Sequence, residues 1–211
     1  MPLTQILMVL GGDPPSEEIL KWRIEESDLT IAVDSGWRAF RHDGIFPNIL
    51  IGDMDSWGGV KTEVPQGVEI IVGDDQNTTD FQKALCFVNS LEKYNKLIIL
   101  GCLGNRTDHL LGNLMHICNI SQMIEVIIDS EKEWICRGTA KTPLVLKGQE
   151  GATLRLLPGS PGRGVSSSGL KWEIIEQDFS FDENMSQSNL CSSNEVEISV
   201  LSGNLLVFLQ K

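Results

Sequence analysis

The feature that most constrains this chain is an alternation. Six short apolar runs punctuate its first two thirds: ILMVL (6–10), LTIAVD (29–34), NILIGD (48–53), VEIIVG (68–73), KLIILGCL (96–103) and IEVIID (124–129). Consecutive apolar positions of this length are the pattern of strands covered on both faces. The intervening segments 16–26, 36–42, 79–94 and 107–122 read as helices. The third carries Phe81, Leu85, Val88 and Leu91 at helical spacing, and the fourth carries Leu110, Leu111, Leu114 and Ile117. Strand–helix alternation requires crossovers, so the expected fold is α/β, with a mostly parallel sheet and helices on both faces. After about residue 140 short strands are separated by Gly, Pro and Ser, as in TPLVLKGQEGATLRLLPGSPGRG, and long helical patterns stop. This predicts a small C-terminal all-β sandwich or partial barrel. The expected domains are 1–140 and 141–211. The second, at about 70 residues, is small for independent stability and is expected to lean on the first domain or on a second subunit.

Bulk properties narrow the partner classes. No stretch approaches the roughly 20 apolar residues of a spanning helix. The opening MPLTQILMVLGGDPP lacks a basic n-region and a small-residue cleavage site, so it reads as a first strand and not a signal peptide. Cys86, Cys102, Cys118, Cys136 and Cys191 are odd in number and form no C-x-x-C pair, which fits a cytoplasmic setting without a zinc or disulfide framework. A formal charge of −12 argues against nucleic acid, whose phosphates need a basic face, and leaves room for a small anion held by local donors or a metal. No membrane partner is expected.

The conspicuous polar motifs fall in one place. GGDPP (11–15), DSG (34–36), GDMDS (52–56), DDQNTTD (74–80) and GNRTDH (104–109) each follow an expected strand. The carboxyl edge of an open α/β sheet is where ligands bind. Asp34, Asp53, Asp55, Asp80 and Asp108 bring five carboxylates to that edge without a matching set of lysines. Clustered carboxylates neutralise themselves with protons or a divalent cation, and oxygen ligands with room for water suit Mg²⁺. If strand geometry persists, Asp53 and Asp55 point to the same side. Arg106, Lys83 (three positions after Asp80) and the N–H groups where a helix begins near GNRTDH offer donors for phosphate. Acids for a metal beside donors for phosphate are the equipment of phosphoryl transfer.

Each residue also has a plainer reading. Thr79 with Gln82 has the form of a capping box, so Asp80 could serve only the helix N-terminus. Asp34 and Asp108 could be turn acids, Arg106 a surface arginine, and Trp172 a core residue of the β unit. GGDPP matches neither a Walker loop nor a dinucleotide fingerprint, and His42, His109 and His116 have no zinc spacing. Capping does not explain why all the acids share one edge.

DSGWRAF, PNILIGDMDS, DQNTTDFQKAL and LGNRTDHLLGN, in this order, resemble the motifs of the thiamine pyrophosphokinase family, and SSSGLKW and MSQSN resemble its C-terminal signature. The resemblance implies transfer of the terminal diphosphate of ATP to the hydroxyl of thiamine. It also implies an α/β nucleotide-binding domain followed by a β-sandwich, and a homodimer with thiamine sites at the subunit interface. By motif, Asp53, Asp55 and Asp80 would hold Mg²⁺ and the phosphates. Asp34 and Asp108 would support that centre and bind ATP together with Lys83 and Arg106. Gln76 and Trp172 would sandwich the aminopyrimidine ring, with Ser188 and Asn189 hydrogen-bonding to it. Three departures stand out. Met54 replaces a commoner Phe, and Ser35 and Asn105 stand where glycines are usual, so both would have to reach glycine-like backbone angles. The rival readings are a pyrophosphokinase of the same fold acting on another hydroxymethyl heterocycle such as a pterin, and a non-catalytic nucleotide- or thiamine-binding protein.

Overall fold

The computed structural model describes residues 4–40, 44–53, 64–73, 75, 77–91, 94–104 and 106–211 of the chain. Its fold is mixed α/β: a mostly parallel sheet flanked by helices, then an antiparallel β domain. Two compact units are present, Met1–Asn113 and Leu114–Lys211.

In the first unit, β1 (Gln5–Val9), β2 (Leu29–Val33), β3 (Ile49–Gly52), β4 (Glu69–Val72) and β5 (Lys96–Leu100) run parallel in the order β5-β1-β2-β3-β4. The residues Ile6 to Val9, Ile31 to Val33, Ile49 to Ile51 and Leu97 to Leu100 are buried, because these central strands are covered on both faces. β4 departs from that expectation. It has β3 as its neighbour at the sheet edge, and Glu69 and Val72 are exposed. An edge tolerates a charged residue that a central strand would not.

The helices begin where local chemistry starts them. α1 (Glu17–Glu25) is capped by Ser16, whose Oγ accepts from the Ile19 N–H at 3.3 Å. A 3₁₀ turn (Asp34–Gly36) leads into the short α2 (Trp37–Phe40). α3 (Asp80–Ser90) buries Phe81, Leu85 and Val88 of the expected stripe together with Ala84, while Leu91, the fourth expected member, is the extended C-cap and half-buried. α4 (Thr107–Cys118) buries Ile117 and Cys118, but Leu111 and Met115 are exposed, so the leucines at 110, 111 and 114 do not all face the core. Leu110, Leu111 and Leu114 lie within about 100° of one another, an ordinary apolar face, and Leu111, at one edge of that arc, is the one left exposed.

The second unit contains β6 (Glu125–Asp129), β7 (Glu133–Thr139), β8 (Leu144–Lys147), β9 (Thr153–Pro158), β10 (Gly162–Ser168), β11 (Gln177–Phe179), β12 (Ser186–Leu190), β13 (Glu195–Ser199) and β14 (Asn204–Gln210). They form two antiparallel layers, β12-β9-β14-β7-β6 and β11-β10-β13-β8. Leu154, Leu156, Leu205 and Val207 of the first layer share one core with Val165, Phe179, Val196 and Ile198 of the second. That is a sandwich, built on alternation of buried and exposed positions along each strand. Buried Arg137 of β7 donates to the carbonyls of Ile117 at the end of α4 and of Ile120, Ser121 and Ile124 in the segment that follows, tying that segment to the strand. Among the described residues no helix is long and apolar enough to cross a membrane.

Candidate functional site

The carboxyl ends of β2 and β3 are packed closely enough to bring two acids together. The turn after β2 lies against β1: a Cβ added at Gly36 would fall 2.1 Å from the Val9 carbonyl oxygen. β3 ends just as close to that turn, since a Cβ at Gly52 would lie 3.2 Å from Asp34 Cα. Asp53 follows Gly52 directly, so its proximity to Asp34 is set by backbone packing. Asp34 itself takes φ 45°, a left-handed conformation that is costly for a non-glycine residue and concentrates at functional sites. Ser35, which the glycine-rich family pattern marked for such angles, does not adopt a positive φ. The bend falls one residue earlier, at the acid. Asn105 lies outside the described residues.

The third acid comes from α3. Asp80 is its first residue, but it is not the cap. Thr79 Oγ1 accepts from the Gln82 N–H at 3.2 Å, and Gln82 Oε1 accepts from the Thr79 N–H at 2.9 Å. With the cap supplied by its neighbours, the Asp80 carboxylate turns to the strand edge. The preceding loop is also anchored: Asp75 accepts from Asn77 N at 2.9 Å and from Thr78 Oγ1 at 3.2 Å, and the Asn77 N–H holds the Asp75 carboxyl below its usual range.

Asp34, Asp53 and Asp80 each offer an oxygen, and the three oxygens lie within 4.8 Å of one another. Lys83 partly balances the group, its Nζ 3.0 Å from Asp80 Oδ1. Its stem lies across the end of β4, where a Cβ on Gly73 would be 2.4 Å from Lys83 Cδ. Asp34 Oδ1 is buried and has no hydrogen-bond partner. A buried, unsatisfied carboxylate oxygen facing two more carboxylates is unfavourable unless a cation completes it. The donor set is all oxygen, which fits a hard divalent ion and not a soft one. Asp34 is thus clustered with Asp53 and Asp80, whereas the family resemblance gave the metal to Asp53, Asp55 and Asp80. The signal available was its place among the five acids at strand ends. Asp55 and Gln76 lie outside the described residues.

Arg106 and Asp108 form a separate exposed pair at the N-terminus of α4. Arg106 Nε donates to Asp108 Oδ1 at 3.1 Å and Nη2 donates to Oδ2, a two-pronged contact. The guanidinium holds the Asp108 carboxyl down to about 2. Asp108 thus orients Arg106, whose own pKa is raised by the same contact.

Of the residues expected for the organic ring, Trp172, Ser188 and Asn189 lie in the second unit. Trp172 is 56% exposed and is no core residue; the Lys171 ammonium sits 4.6 Å from its ring centroid. Ser188 and Asn189 are on the edge strand β12, Ser188 exposed and Asn189 buried. The Asn189 amide is engaged by the protein: Oδ1 accepts from Trp172 N at 3.2 Å and Leu190 N at 2.9 Å, while Nδ2 donates to Trp172 O at 2.7 Å. All five cysteines are free thiols; burial pushes the Cys102 thiol up to about 12, so it is no nucleophile.

Comparisons with known proteins point the same way. Residues 20–128 match the model of the thiamin pyrophosphokinase catalytic domain, and residues 143–205 match that of the thiamin pyrophosphokinase vitamin B1 binding domain. Thiamine pyrophosphokinase 1 of Oryza sativa subsp. japonica is 30% identical over 166 residues, covering 72% of this chain and 62% of the rice protein. The chain thus spans about three fifths of that relative's length. Thiamine pyrophosphokinase 2 of Arabidopsis thaliana is 25% identical over 223 residues, covering 91% of this chain and 81% of the relative. Among solved structures, the thiamine pyrophosphokinase of Bacillus subtilis superposes with a TM-score of 0.83 at 19% identity, covering 99% of both chains.

Proposed function

That the chain belongs to the thiamine pyrophosphokinase family is the premise from which we propose its reaction: transfer of the diphosphate of ATP to the hydroxyl of thiamine, giving thiamine diphosphate and AMP. The observation that carries this reading is the convergence of Asp34, Asp53 and Asp80, one of which, Asp34, also has a buried carboxylate oxygen without a partner. Asp53 and Asp80, with Asp34 beside them and Asp55 two positions after Asp53, would hold the divalent cation, for which we propose Mg²⁺. When bound there, the cation neutralises charge on the phosphate oxygens and fixes the diphosphate for in-line displacement.

The chain's own groups do the rest. Arg106, oriented by Asp108, contacts the ATP phosphates, and Lys83 is the second cation within reach of them through Asp80. The thiamine hydroxyl oxygen forms a bond to the β-phosphorus of ATP. The bond from that phosphorus to the bridging oxygen breaks, and AMP leaves with the oxygen. The hydroxyl proton passes to a carboxylate. Asp55 and Asp108 are the two candidates for that base, and Asp108, held down to about 2, is the weaker one. Gln76 and Trp172 sandwich the aminopyrimidine, with Ser188 and Asn189 completing the ring's site. In this reading 1–140 is the ATP- and metal-binding domain and 141–211 contributes the thiamine site, in a cytoplasmic homodimer.

Chromatography of products from purified protein, ATP, Mg²⁺ and thiamine tests the proposal. Equal yields of thiamine diphosphate and AMP are expected. A preference for a hydroxymethylpterin run alongside, or ADP in place of AMP, would overturn it.

A further inference from the structure

Trp172 is an exposed indole on a segment whose polar groups are almost all used internally. Glu173 Oε1 accepts from the Gly169 N–H at 2.7 Å and the Leu170 N–H at 3.1 Å, while Oε2 accepts from Ser167 Oγ at 2.6 Å. Ser167 Oγ in turn accepts from the Ile174 N–H at 2.9 Å, closing the loop on itself. The Ser167 N–H donates to the Ile174 carbonyl at 2.9 Å, and the Lys171 N–H donates to the Leu190 carbonyl at 2.8 Å. Asn189 then grips Trp172 by both main-chain groups. Gly169, at φ +86°, has no room for a side chain: a Cβ there would meet the Glu195 carbonyl at 2.4 Å.

This arrangement reverses what a loop built for stability would do. Such a loop would bury its largest apolar side chain and leave its carboxylate to water. Here the carboxylate and the buried amide work on the main chain, and the indole stands out with the Lys171 ammonium on one face. Fixing a ring before the ligand arrives removes an ordering cost from binding.

We infer that Glu173 and Asn189 are positioning residues for the thiamine ring: they hold the 167–174 segment so that the Trp172 indole is pre-set for stacking. Asn189 serves the ring through Trp172, and Glu173 fixes the turn that precedes it. The inference rests on the proposed thiamine-dependent reaction, and its test separates the two.

The test is a double-mutant cycle on thiamine KM, with ATP KM and melting temperature measured on every variant. Glu173→Ala is expected to raise thiamine KM about tenfold, as a misplaced contact does. ATP KM and melting temperature should stay near the wild-type values, because Glu173 is exposed. Glu173→Gln, which keeps the acceptor oxygen, should recover most of the loss. In a Trp172→Ala background Glu173→Ala should add nothing further, since it acts through the indole. Asn189→Ala should follow the same non-additive pattern; if it fails to fold, the Glu173 cycle stands alone. Equal effects of Glu173→Ala with and without Trp172 would overturn the inference, as would an unchanged thiamine KM in Glu173→Ala when Trp172→Ala raises it. Absence of any thiamine turnover in the wild-type protein would instead sink the functional proposal beneath it.

Discussion

The acid edge of the first unit and the Trp172 segment of the second handle polar groups in opposite ways. At the acid edge, Asp34 keeps a buried oxygen without a partner and holds its backbone in a left-handed conformation. In the Trp172 segment, Glu173 accepts from Ser167, Gly169 and Leu170 and Asn189 accepts from Trp172 and Leu190, while the apolar ring is left outside. Unsatisfied polar groups on a rigid mount suit a cation and phosphate, which supply what is missing. Saturated polar groups beneath an exposed ring suit a flat organic ligand, which needs a surface held still. One chain thus presents an unsatisfied carboxylate cluster in one unit and a braced, exposed ring in the other, the pair the proposed reaction would use.

The contrast breaks most visibly at the acids. Asp53→Asn is expected to lower turnover at least ~100-fold, because a first ligand should matter more than the outer partners of metal ligands. Asp34→Asn should lose activity comparably while melting no lower than wild type. Asn tolerates a positive φ better than most residues, and the change removes one of three crowded charges. Thermal denaturation beside a steady-state assay checks both; a large fall in melting temperature for Asp34→Asn would mean that the carboxylate is structural.

At the platform the pattern should invert. Asn189→Ala leaves the main-chain groups of Trp172 without their partner and is expected to cost about 1–3 kcal/mol of stability. Trp172→Ala, at a largely exposed side chain, should cost no more than about 0.5 kcal/mol. Denaturant titration of the two variants measures this, and equal losses would erase the distinction between clamp and ring.

The smallest effect concerns Arg106 and Asp108. The Asp108 pKa is depressed from 3.8 to about 2, so the pair's contribution is fully present above about 4 and fades as pH falls through about 2. Because both side chains are exposed, the effect is confined to the site, and the pair should be intact at neutral pH. An NMR titration of the Asp108 carboxyl should find its midpoint near 2, rising toward 3.8 in Arg106→Ala. A wild-type midpoint at the ordinary value would remove the reason for discounting Asp108 as a base.

Much of this was legible in the sequence because it was local or periodic. The central strands and α3 follow from continuous apolar runs and helical spacing, and the Thr79–Gln82 cap follows from a four-residue pattern. Placing the polar motifs after strands was enough to locate the acid edge. What sequence could not supply depends on approach between distant segments. VEIIVG has the same texture as a central strand, and its place at the sheet edge follows from topology. The left-handed turn falls on Asp34 and not Ser35, in a corner where the chain passes close to β1 at Gly36 and to β3 at Gly52, contacts between segments far apart in sequence. The bond between the Asn189 amide and the backbone of Trp172, seventeen positions away, is likewise a long-range contact that no local pattern marks.

The central claim is that Asp34, Asp53 and Asp80 form a cation site that the nucleotide completes. Calorimetry of ATP binding with and without Mg²⁺, on the wild-type protein and on Asp53→Asn, tests it most directly. Strong Mg²⁺-dependent binding that the variant loses is the predicted result. Binding of equal strength with and without Mg²⁺, unchanged in the variant, would contradict it.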